Sequence, residues 1–163
     1  MRRNHASLSR KAGIDPKVVA DQFGHAIGVN LVKRYVRDNG SDRAETLLRK
    51  HRFISSAINR VEASASFRRR KDSGDVEQRH FEAIIKRFDS DRQKWELIEL
   101  GKDVLDRAEQ LGRYNKVRAL DAIHIASFIL FREATNIHVP LVTADSAQRE
   151  AAAALSLDMV WVE

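Results

Sequence analysis

Apolar residues recur at helical spacing in several stretches of the chain. Val76, Phe81, Ile84, Ile85 and Phe88 share one face of a 3.6-residue repeat, which predicts an amphipathic helix over residues 75–90. Residues 118–132 are apolar almost all round (Leu120, Ile123, Ile125, Phe128, Ile129, Leu130, Phe131), so that helix is expected to be central and buried. A shorter amphipathic pattern covers residues 103–111 and ends at Gly112. Between these lie short apolar runs that read as strands: Phe53-Ile54, residues 95–100, residues 139–143 and residues 159–162. Ser55-Ser56 reads as the cap of a helix running to about Lys71, and a further helix starts near Ser146.

Nearer the start, residues 5–12 read as a helix stopped by Gly13. Asp15-Pro16 opens a second helix to about Phe23, because Asp caps well and Pro suits the first helical turn. Residues 26–31 fit a short strand or a helix lead-in. Residues 31–37 turn helical, and Ser41 caps a helix to about Lys50. Strands separated by helices imply an α/β layer with parallel pairing.

Composition narrows the class. The 163 residues carry 29 Lys and Arg against 23 Asp and Glu, a formal +6, which suggests an anionic partner such as nucleic acid. Residues 1–37 account for all of it, with eight basic and two acidic residues, and 21 of each sign remain in the rest. There is no Cys, which excludes a disulfide scaffold, a thiolate metal site and a Cys nucleophile. No apolar run approaches the ~20 residues of a membrane span, and Met1-Arg2-Arg3-Asn4-His5 lacks the apolar core of a signal peptide, so a cytoplasmic protein with no membrane contact is expected.

Three carboxylates stand where polarity is awkward. Glu62 falls at the edge of the apolar stripe formed by Ile58, Val61 and Ala65. Asp121 opens the most apolar helix, and Asp145 follows directly on the strand Leu141-Val142-Thr143. In an open parallel sheet the carboxyl ends of the strands border the ligand crevice. Three acids converging there would repel one another unless a hard cation such as Mg²⁺ or Mn²⁺ neutralised them, and such an ion activates water toward a phosphodiester. Each acid has a plainer alternative: an exposed helix residue for Glu62, a dipole-favoured first-turn residue for Asp121, an N-cap for Asp145. His124, one turn after Asp121, reads as a packed or hydrogen-bonded neighbour rather than a ligand. The basic run over residues 68–71 reads as a solvated helix end, with Arg69 and Arg70 as candidate nucleic-acid contacts.

Residues 55–65 (SSAINRVEASA), 118–126 (RALDAIHIA) and 141–145 (LVTAD), in that order, resemble three successive motifs of the PIN domain, nearest to the VapC-type toxins of bacterial toxin–antitoxin pairs. Residues 31–36 (LVKRYV) resemble the first helix of that family, and the likeness runs over residues 29–163. The resemblance implies a PIN-like parallel sheet flanked by helices. It also implies a Mg²⁺- or Mn²⁺-dependent endoribonuclease acting on RNA, dimeric as is usual there, and a cognate antitoxin as inhibitor. Its acidic metal ligands and catalytic residues correspond to Glu62, Asp121 and Asp145. One departure matters: the family's first strand ends in an Asp that should fall near Ile27, where neither Ile27 nor Gly28 offers a carboxylate. The first central strand is therefore expected to be missing or replaced, and activity to be impaired.

Residues 2–30 resemble something else, the C-terminal portion of phage-integrase-type tyrosine recombinases. The likeness rests on residues 2–8 (RRNHASL), 13–19 (GIDPKVV) and Phe23-Gly24-His25. It implies that Arg2 matches a phosphate-binding Arg and His25 the late His of that active site, with Arg3 as a further nucleic-acid contact. The nucleophilic Tyr normally follows about nine residues after the His; the ninth here is Arg34, and Tyr35 comes one later. The expected organisation is a short helical recombinase-like fragment over residues 1–28 and a PIN-like domain over residues 29–163. Two alternatives to the ribonuclease remain: a DNA-binding recombinase remnant making its contacts through residues 1–37, and a non-catalytic antitoxin-binding module.

Overall fold

The computed structural model describes residues 25–28, 35–36, 42, 46 and 52–162. Among the described residues five parallel strands form one sheet in the order β3-β2-β1-β4-β5: β1 (His25–Gly28), β2 (Arg52–Ser56), β3 (Glu96–Ile98), β4 (Leu141–Thr143) and β5 (Met159–Trp161). Five α-helices are described with them: α1 (Ile58–Asp72), α2 (Gln78–Asp91), α3 (Lys102–Tyr114), α4 (Ala119–Thr135) and α5 (Ser146–Ala154). The α/β class read from the alternation of periodicities is the observed one, and no described helix is long and apolar enough to cross a membrane.

A central strand is present. His25–Gly28 takes that place, with Ile27 opposite both Ile54 of β2 and Leu141 of β4, and Gly28 opposite Val142. Residues assigned from sequence to the recombinase-like fragment thus supply the strand on which both halves of the sheet hydrogen-bond. His25 begins this strand, paired in register with Arg52. The helices expected over residues 5–12 and 15–23, with Arg2 and Arg3, lie outside the described residues.

The main core is built on α4, whose residues face the sheet on one side and α3 on the other. Ile125, Phe128 and Phe131 are fully buried against Ile54, Ile98 and Leu141 of the strands and Val104, Ala108 and Leu111 of α3. Removing this apolar surface from water contributes about 1.5–3 kcal/mol for each large side chain. Leu120 is the exception to the all-round burial expected of α4: it lies in the first turn and is 47% exposed. The helix ends at Asn136, which adopts the left-handed conformation (φ 55°) while its N–H bonds the carbonyl of Arg132.

A second, aromatic cluster joins α1 to α2. Phe67 and Phe88 are buried with ring centroids 5.3 Å apart, and Tyr35 meets both edge-on at 5.5 and 5.6 Å. Edge-to-face pairs add about 0.5–1.5 kcal/mol each beyond burial. The Tyr35 hydroxyl donates to Asp91 at 3.0 Å, so this ring serves packing between helices.

Two local expectations are corrected. Ser55 and Ser56 do not cap α1; they are buried in β2, and Ala57 precedes the helix without a side-chain cap. Their hydroxyls meet side chains instead: Asn59 Nδ2, four residues on, donates to Ser55 Oγ at 2.8 Å, and Ser127 Oγ of α4 lies 3.1 Å from Ser56 Oγ. Gly112 does not end α3, which runs on to Tyr114. One glycine in an exposed turn costs about 1 kcal/mol relative to alanine, less than the helix gains by burying Val104, Ala108 and Leu111 against α4.

Candidate active site

The chain order builds a crevice. From β1 it passes outward to β2 and β3, then returns to the other side of β1 for β4 and β5, so its direction reverses between β1 and β4. Loops leaving the carboxyl ends of strands diverge at such a point and leave a cleft between them. A cleft of about 410 Å³ runs along one face of α1 and past the starts of α4 and α5. Asn59, Glu62, Ser66 and Arg69 line it from α1, Arg118, Leu120 and Asp121 from the start of α4, and Asp145 and Gln148 from the start of α5.

On α1 the lining positions recur every three or four residues, so they share one face of the helix. Asp121 is held by burial in the first turn of α4, where the helix dipole favours an anion. Asp145 is the N-cap of α5: its Oδ1 accepts from the backbone N–H of Ala147 at 2.8 Å and of Gln148 at 3.2 Å. The hydroxyl of Thr143 supports this turn from below, accepting from Asp145 N at 3.0 Å and donating to Gln148 Oε1 at 2.9 Å.

The three predicted acids line one cleft but do not make one cluster. Among the described residues no group of three or more His, Asp and Glu side chains is arranged to hold a metal ion. Each acid has a protein partner instead. Arg118 bridges two of them, with Nε donating to Asp121 Oδ2 at 2.8 Å and a terminal nitrogen reaching Asp145 Oδ1 at 3.4 Å. Glu62 is paired with Nε2 of His124, which is itself fully buried. The charge that sequence reasoning left to an external cation is thus partly supplied from within. The hydrogen bond and charge of Asp121, followed by the charge of Asp145, raise the Arg118 guanidinium above its already high ordinary pKa. Arg118 therefore keeps its charge throughout the neutral and alkaline range.

Of the candidate nucleic-acid contacts on α1, Arg69 lines the cleft and Arg70 does not. No known family's sequence model matches the chain, and no curated protein matches it. What the cleft can do must be read from its own chemistry. Its acids offer hard oxygen donors, as Mg²⁺ or Mn²⁺ requires. Asp121 and Asp145 pass a further test of fit, because one cationic group already touches both. Glu62 meets His124 through Oε2, which leaves Oε1 to face the cleft that it lines.

Sequence reasoning missed Arg118, Asn59 and Gln148. Arg118 carried a legible signal, standing three residues before Asp121 and so within reach of it across one helical turn. Gln148 carried another, three residues after the capping Asp145 in the spacing of a capping box, although its amide turns to Thr143. Asn59 carried none, since its contact with Ser55 depends on how the strand enters α1.

Proposed function

We propose that this chain is a PIN-like, VapC-type ribonuclease scaffold that cleaves RNA with a divalent cation and turns over slowly. One observation carries the reading: at the carboxyl edge of a parallel sheet, Asp121 and Asp145 share a single cationic partner, with Glu62 on the facing helix of the same cleft. The central position of β1 agrees with the sheet expected for such a protein.

Mg²⁺ or Mn²⁺ held by Asp121 and Asp145 would supply Lewis-acid polarisation of a phosphodiester oxygen and an activated water. The chain's own residues then have distinct tasks. Asp121, fixed by burial, and Asp145, fixed by two backbone N–H groups, hold their carboxylates in place without rearrangement. His124 orients Glu62. Arg69, farther along the same face of α1, attracts the phosphates of the RNA strand. The slow turnover follows from β1, which delivers Ile27 and Gly28 to the middle of the sheet and no carboxylate. A cognate antitoxin covering this cleft, a second copy of the chain as dimer partner and a cytoplasmic setting belong to the same proposal.

The test is cleavage of single-stranded RNA by the full chain with and without Mg²⁺, alongside Asp121→Asn and Glu62→Gln. Slow Mg²⁺-dependent cleavage that both substitutions abolish is the expected result. Equal rates for the parent chain and Asp121→Asn would show that the cutting does not use this cleft.

A further inference from the structure

We propose that Arg118 is a built-in competitor for the divalent cation, closing the Asp121–Asp145 pair with its own charge until a metal displaces it. The inference rests on the two-aspartate reading above and adds a means by which the chain itself sets how readily that site loads.

Three observations support it. First, the guanidinium lies between the two carboxylates, 2.8 Å from Asp121 and 3.4 Å from Asp145. Second, the partners differ in exposure. The Asp121 side chain is 6% exposed and packed in the core, whereas that of Arg118 is 70% exposed and has water on its open side. Third, the acids have anchors other than the arginine, Asp121 in burial and Asp145 in its cap bonds. Asp145 keeps its bonds from Ala147 and Gln148, both made through Oδ1, which leaves Oδ2 without a partner among the described residues. Arg118 uses only Oδ2 of Asp121, and Oδ1 of that residue likewise has no partner among the described residues.

The balance between the two cations follows from their form. An arginine is a planar fork with one charge, and the contact with Asp145 is long and exposed, so it is weak in water. A divalent ion carries twice the charge and approaches carboxylate oxygens at about 2.1 Å. It displaces the guanidinium, but at a cost that raises the concentration required. Without Arg118, two carboxylates face each other with no counter-charge and hold a divalent ion about tenfold more tightly.

The experiment measures Mn²⁺ binding to the full chain by the electron paramagnetic resonance signal of free Mn²⁺, for the parent chain, Arg118→Ala, Arg118→Lys and Asp121→Asn. Arg118→Ala is expected to bind Mn²⁺ about tenfold more tightly than the parent, and Mn²⁺ is expected to raise its Tm by more. Arg118→Lys should fall between them, because one ammonium cannot reach both acids with paired donors. It also keeps a positive charge beside the buried Asp121 and so serves if the alanine variant fails to fold. Asp121→Asn should bind least. If the parent and the Arg118 variants bind Mn²⁺ equally and Asp121→Asn does not, the metal reading stands and the competitor role of Arg118 is overturned. If none of the four binds Mn²⁺, both are overturned.

Discussion

Asp145 holds a helix and, in the proposed chemistry, a metal, and two substitutions separate these roles. Asp145→Ala removes the acceptor for two backbone N–H groups at the start of α5, at 2.8 and 3.2 Å. Loss of an N-cap costs about 1 kcal/mol, and loss of the negative charge at the helix N-terminus adds about 0.3–0.5 kcal/mol. The contact with Arg118 adds little to this, since both side chains are more than a third exposed. The expected loss is about 1.5 kcal/mol, or a Tm lower by roughly 3–6 °C at this chain length. Asp145→Asn keeps the accepting oxygen and caps as well as aspartate, so it should lose no more than about 0.5 kcal/mol. Urea titration followed by tryptophan fluorescence suits the comparison, because Trp161 of β5 pairs with Thr143, two residues before the cap. Both variants should lose Mg²⁺-dependent RNA cleavage, since neither supplies an anionic oxygen. Equal destabilisation by Asn and Ala would refute the capping argument, as would an alanine variant as stable as the parent. An asparagine variant that still cleaved RNA at the parent rate would remove Asp145 from the proposed site.

Other consequences can be measured on the same chain. Phe67→Ala empties the middle of the aromatic cluster, where the ring is 1% exposed, and should cost about 3–5 kcal/mol in urea unfolding; a loss below about 1 kcal/mol would show that the α1–α2 pair contributes little to the fold. Ser156 follows α5 in the left-handed conformation (φ 53°), its N–H bonded to the carbonyl of Ala153 and that of Leu157 to the carbonyl of Ala152. This is the Schellman arrangement, which favours glycine, so Ser156→Gly should stabilise by up to about 1 kcal/mol, and a lower urea midpoint would contradict that.

Much of the architecture was legible because it is local. The 3.6-residue repeat of Phe81, Ile84, Ile85 and Phe88, the largely apolar sequence of α4 and the short apolar strands each report which face of their own element meets the core. Asp145 was legible as a cap for the same reason: its partners lie two and three residues away. Signals of this kind misled where the strand runs on into the apparent cap or where a tertiary contact outbid the local one. Ser55 and Ser56 look like a helix cap, yet their hydroxyls serve Asn59 and Ser127. Gly112 looks like a stop, yet packing of α3 against α4 carries the helix past it.

The sequence by itself determined that the chain alternates strand and helix, that Glu62, Asp121 and Asp145 stand at helix starts and strand ends, and that no acid stands near Ile27. The tertiary structure decided which strand lies in the middle of the sheet and which groups neutralise the acids. His25–Gly28 is too short to show a side-chain period, and its place follows from the strands that pair on either side of it. Arg118 meets Asp145 across 27 residues, and His124 meets Glu62 across 62. Such distances along the chain carry no periodic signal, and only the packing of α1, α4 and α5 around one crevice brings those charges together.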